Sequence, residues 1–169
     1  MNFGSRHSYS KEYIVSVHVG VGIKNVNRLF IELTNNQDNK YTSEHMPFFT
    51  DNIGYVMPQH TFLEWYLDRD KNCLPWVDNI IDAIRQYGFP YYERMKDFHN
   101  MLNYIELGKG IIHSIRDYYY PVMLYLAGRK EEGLRHIERI LNAERYHGPD
   151  LERYVSFANN YKILLTSGT

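Results

Sequence analysis

One short alternating segment constrains this chain more than any other feature. Between Tyr13 and Ile23, the residues Tyr13, Val15, Val17, Val19, Val21 and Ile23 keep to one side of a two-residue period, and Ile14, Ser16, His18, Gly20 and Gly22 keep to the other. Alternation of this kind, rich in β-branched residues, marks a strand with one buried face. The last hundred residues follow a different period. Trp76, Ile80, Ile84 and Tyr87 make one apolar stripe ending at Gly88, and Tyr91, Met95, Phe98, Leu102 and Ile105 make the next after Pro90, where a new helix should start. Ile111, Ile115, Tyr118, Val122 and Leu126 follow, with Pro121 expected to kink or split that helix. Leu134, Ile137 and Leu141 precede a stop at Gly148-Pro149, and Leu151, Tyr154, Ala158, Tyr161 and Leu165 align behind a cap at Asp150. The expected fold is α+β, a small mainly antiparallel sheet from the N-terminal part packed against a C-terminal set of five or six helices.

Between these regions the signals are shorter. Residues 25–34 carry both periods and are assigned to a helix, with Asn25 as its cap. The stretch NNQDNKYTSEH reads as a loop. Ile53–Met57 and Thr61–Leu67 read as a hairpin across Pro58-Gln59-His60, with Tyr13–Ile23 as its partner strand. In the second of these, Leu63, Trp65 and Leu67 oppose Phe62, Glu64 and Tyr66. No linker divides sheet from helices, so the expectation is a single domain over residues 1–169, with 1–10 as a loose lead-in.

The totals exclude several classes. With 19 basic and 20 acidic residues the net charge is −1, which gives no basic footprint for nucleic acid. A single cysteine, Cys73, forbids an intrachain disulfide and points to a reducing compartment. No apolar run approaches the ~20 residues that cross a bilayer, and no signal peptide opens the chain, so a cytoplasmic protein is expected. Aromatics reach 15%, with 16 Tyr against 8 Phe and 2 Trp. A ring with a polar tip suits helix seams and binding faces.

Three segments carry a family resemblance. Asn52-Ile53-Gly54-Tyr55 leading to Glu64-Trp65, then Gly88-Phe89-Pro90-Tyr91-Tyr92-Glu93, then Tyr125-Leu126-Ala127-Gly128 before a helix near Glu131, together resemble a group of uncharacterised bacterial α+β domains over residues 13–145. Some of those domains resemble the immunity proteins of bacterial toxin systems. The resemblance implies a protein that binds a partner protein and catalyses nothing. This chain departs from the pattern at its start, where such domains have a helix and further strands.

The chemical motifs are weak. Glu144-x-x-His147 has one-turn spacing but no second such pair, so no metal is expected. Cys73 has no local activating group. Gly20-Val21-Gly22-Ile23-Lys24 lacks phosphate-loop spacing, and its glycines suit close backbone approach or a bulge. The helix pair joined by residues 128–134 has no repeat elsewhere. What remains is the second face of the sheet. Ser16, His18, Glu64 and Tyr66 should share it, with Gly20 and Gly22 leaving a shallow trough. The expected function is a non-enzymatic protein-binding domain of immunity-like kind, using Ser16, His18, Glu64 and Tyr66, with no cofactor. Two alternatives stay open: a small hydrolase with His18 and Glu64 as acid–base pair, and a homo-oligomeric structural protein.

Overall fold

The computed structural model describes residues 12–35, 43–68, 71–108 and 113–167. The expected lead-in at 1–10, the middle of the expected polar loop at 36–42, and residues 109–112, where Ile111 was expected to head an apolar stripe, lie outside the described residues. The fold is α+β. Its strands are β1 (Glu12–Val15), β2 (His18–Val21), β3 (Phe49–Asn52) and β4 (Trp65–Asp68). Its helices are α1 (Lys24–Thr34), α2 (Ile53–Val56), α3 (Leu74–Ala83), α4 (Phe89–Met95), α5 (Phe98–Glu106), α6 (His113–Leu126), α7 (Lys130–Asn142) and α8 (Gly148–Ser167).

The single strand expected over Tyr13–Ile23 is two strands. β1 pairs antiparallel with β4, Ile14 opposite Tyr66 and Val15 opposite Trp65, whereas β2 pairs with β3. The chain changes partner at Ser16-Val17, where Asn52 donates to Ser16 Oγ at 3.1 Å and Ile53 N–H donates to Val17 C=O at 2.9 Å. The expected hairpin is also corrected. Ile53–Val56 forms the helical turn α2, and of Thr61–Leu67 only the end is strand. The cause is Asn52, whose side chain accepts from Gly54 N–H at 3.0 Å and so caps a helix start.

Residues 24–34 are helical, but Ile23 occupies the N-cap position and Asn25 lies inside the first turn. Pro90 starts no new element. α3, a π-helical turn at Ile84–Gly88 and α4 run on without interruption, and Phe89 N–H bonds to Ile84 C=O five residues back. That wider turn lies directly before a residue that has no N–H to give. Pro121 likewise sits inside an unbroken α6. It leaves the carbonyl four residues earlier without its helical donor. That carbonyl belongs to Asp117, and Tyr154 Oη of α8 donates to it at 3.3 Å.

The chain divides into two compact units, residues 1–19 with 51–91, and residues 20–50 with 92–169. In the smaller, Ile53, Trp65 and Ala83 form the buried cluster, flanked by half-buried Val15, Val17, Val19, Leu63, Leu67 and Ile84. Trp65 Nε1 donates to Asn79 Oδ1 at 2.8 Å, tying β4 to α3. The larger unit is built around α6, which packs on α1, α5 and α7. Three consecutive tyrosines on α6 step about 100° apart around the helix. Tyr118 meets Tyr154 and Phe157 of α8; Tyr119 is sandwiched between Phe30 of α1 and Phe48 at 4.3 and 4.4 Å; Tyr120 meets the edge of His136 on α7. Much of the tyrosine surplus thus lies in helix seams. Gly133 of α7 admits Tyr161 of α8, because a Cβ there would collide with the Tyr161 hydroxyl. That hydroxyl lies 3.2 Å from the carbonyls of both Pro121 and Lys130.

Candidate functional site

The four residues expected to form a site all belong to the smaller unit, and the structure joins them two by two. Ser16 Oγ lies 3.0 Å from His18 Nε2, and Tyr66 Oη donates to Glu64 Oε2 at 3.3 Å. Among the described residues no hydrogen bond or ion pair joins His18 to Glu64. The assignment of faces follows the pleat. Trp65 is buried and Val15 and Leu67 pack on the core, while Ile14 and its partner Tyr66 are 60% and 53% exposed.

The trough expected at Gly20 and Gly22 is filled. A Cβ on Gly20 would approach Pro47 Cβ to 2.8 Å, and one on Gly22 would strike the Met46 carbonyl. These glycines serve close approach of the 46–50 segment. Cys73 is half-buried, with Sγ against the carbonyls of Asp68 and Lys71 at 3.4 and 3.5 Å. Glu144 and His147 lie beyond the end of α7, Glu144 with a φ of 48°, so they do not present the one-turn pair that their spacing implied. Among the described residues there is no group of three or more His, Cys, Asp or Glu side chains placed to hold a metal ion. No helix among the described residues is long and apolar enough to cross a membrane.

Beneath the open face sits a polar knot that the sequence did not disclose. Asn52 is almost fully buried and meets Leu63 as a neighbouring strand would, accepting from its N–H at 2.9 Å and donating to its C=O at 3.0 Å. Gly54 beside it has no room for a Cβ, which would strike the Thr61 carbonyl. This knot holds the loop that carries Phe62 toward His18, whose rings meet edge-on with centroids 6.4 Å apart. The only early signal was the Asn-Ile-Gly-Tyr motif itself.

The smaller unit also exposes large apolar side chains on more than one element. Tyr13, Ile14, Tyr55, Phe62 and Tyr66 are exposed, and so are Leu74, Trp76, Val77 and Ile81 along α3. In the larger unit one polar network is centred on a buried carboxylate. Asp117, 2% exposed, accepts from Arg145 at 2.8 and 2.9 Å and from Tyr146 Oη at 3.0 Å, which pins the segment after α7 to α6. Burial, aided by the Asp117 charge, pushes the Tyr146 and Tyr154 phenols well above their ordinary range. Burial also pushes the Tyr119 phenol up to about 12. Compared with family models, with curated proteins and with solved structures, the chain matches none.

Proposed function

We propose that the chain is a non-enzymatic protein-binding domain, of the kind its resemblance to immunity-like bacterial domains implies, and that the smaller unit carries the binding face. The observation that carries the reading is the exposure of Ile14 and Tyr66 as a cross-strand pair together with Trp76, Leu74 and Val77 on α3. Large apolar and aromatic side chains on the surface are the anchors from which interfaces draw most of their energy. The charges beside them define the partner. Among the described side chains of this unit, Asp51, Glu64, Asp68, Asp78 and Asp82 stand against Lys71 and Arg85. A protein with an apolar contact surface and a basic rim complements that balance.

The test begins with affinity capture from a lysate of the native host and continues with the recovered protein purified. A stoichiometric complex that Tyr66→Ser and Trp76→Ser each weaken by about tenfold or more supports the reading. A chain that recovers nothing, or a complex indifferent to both variants, overturns it. Size-exclusion of the protein alone distinguishes a hetero-partner from a second copy of the chain. One observation favours the hydrolytic alternative: Ser16 and His18 stand at nucleophile–base distance. Among the described residues no group bonds the other imidazole nitrogen to orient it, and Ser16 Oγ is already engaged by Asn52. Ester turnover that Ser16→Ala abolishes would favour that alternative over binding.

A further inference from the structure

On the larger unit, α6 and α7 enclose a surface cavity of about 230 Å³ lined by Tyr120, Glu132, Arg135, His136 and Arg139. We propose that this cavity is an anion site for a phosphate group, held by the guanidinium groups of Arg135 and Arg139 with the Tyr120 ring beside them, its hydroxyl being turned to Glu106 at 3.4 Å. Charge accounts for it first. Glu132, the one acid in the lining, is taken by Arg129 through two hydrogen bonds at 2.8 and 2.7 Å. Glu106 also goes to Arg129, and Asp117 goes to Arg145. Among the described residues no carboxylate comes within ion-pair distance of Arg116, Arg135 or Arg139. Arg116 lies against the Tyr120 ring, 5.8 Å from its centroid, and adds positive potential at the same place.

The second argument is how Arg139 is held. It donates to His136 Nδ1 at 2.9 Å, so that imidazole nitrogen is an acceptor and the ring proton sits on Nε2. His136 is nearly buried, and Nε2 has no hydrogen-bond partner, with Asp117 Oδ1 3.8 Å away. Burial, then the Arg139 charge, hold its pKa near 4, so the ring is neutral around pH 7. A neutral acceptor fixes a guanidinium without cancelling its charge. A carboxylate in the same place would have fixed it and neutralised it. Arg139 therefore keeps its full charge and its remaining N–H donors for something outside the protein, and a planar fork of donors matches a phosphate. His136 is a positioning residue in this scheme.

The experiment titrates the intact chain with inorganic phosphate at constant ionic strength, followed by two-dimensional NMR, with chloride as the reference anion. Saturable shifts confined to Tyr120, Arg135, His136 and Arg139 are expected, and phenyl phosphate in a parallel titration tells a monoester from the free anion. Arg139→Gln and Arg135→Gln should each weaken binding about tenfold or more, while Arg153→Gln, at an exposed position of α8, leaves it unchanged. His136→Gln should weaken phosphate binding without contacting the anion. Because His136 is buried and its variant risks the fold, the two surface arginine variants carry the decision. Shifts that match chloride, fail to saturate below about 50 mM, or persist in Arg139→Gln overturn the site.

Discussion

The two units differ in where their large apolar side chains go. In the larger, Tyr154, Tyr161, Phe157, Met123 and Ile137 are fully buried among helices. The smaller unit buries Ile53 and Trp65 but, among the described residues, leaves ten large apolar side chains exposed, against seven in the larger unit. Burying one such side chain is worth about 1.5–3 kcal/mol, so the smaller unit forgoes much of the usual driving force. Its cohesion rests more on directed hydrogen bonds, those of Asn52 above all, while the larger unit rests on packing.

The sharpest way to break the comparison is Gly133→Ala. If the larger unit is held by tight packing, the new methyl displaces the Tyr161 hydroxyl and costs about 3–4 kcal/mol in denaturant unfolding, despite the better helix propensity of alanine. A neutral result would show that this core yields. Asn52→Ala should cost about 2–3 kcal/mol by leaving the Gly54 and Leu63 amides unpaired. Hydrogen exchange should then rise at Gly54 and Leu63 and not at Ile137. A uniform rise would mean that the two units open together.

Acid should strike the larger unit through His136, which is faced by Asp117 and Arg116 of α6, Arg139 of its own helix and Arg145 beyond it. The unfolded imidazole takes up its proton near 6.5 and the folded one near 4, so the unfolded state binds more protons between those values. The contribution is therefore full above pH 6.5 and is lost as pH falls toward 4. The loss is on the order of 3 kcal/mol, read from melts of wild type and of His136→Asn, which should flatten the slope. Tyr154→Phe should cost about 1–2 kcal/mol by orphaning the Asp117 carbonyl. Adding Pro121→Ala, which restores a backbone donor to that carbonyl, should recover part of the loss, and a double-mutant cycle measures the coupling. The smallest effect belongs to Tyr66→Ser, within about 0.5 kcal/mol of wild type, since that ring is exposed. A larger loss would place Tyr66 in the fold's own stability and weaken its assignment to a binding face.

The face assignments of Trp65, Leu67 and Tyr66 were legible because side chains in a strand alternate whatever strand lies beside them. The helices behind Leu74 were legible for the same local reason, their apolar stripes recurring every three to four residues. The switch of strand partner at Ser16-Val17 was not, because it depends on Asn52, 36 residues away. Pro121 misled for a similar reason. Its missing N–H is a local fact, but the donor that makes good the loss is Tyr154, on another helix. Of the expected site, the pairs Ser16–His18 and Glu64–Tyr66 were within reach of i, i+2 spacing, whereas the engagement of Ser16 by Asn52 was not.

By itself the sequence determined the periods, and through them the class of fold, the helical character of the C-terminal part and the inward side of β1 and β4. Those properties arise from backbone geometry and residue shape over a few positions. The tertiary structure alone decided that β2 leaves β4 for β3, that the 46–50 segment is what meets Gly20 and Gly22, that Gly133 admits Tyr161, and that Asp117 holds Arg145. Each of those depends on groups far apart in the chain meeting within about 3–4 Å, and local propensity carries no information about such meetings.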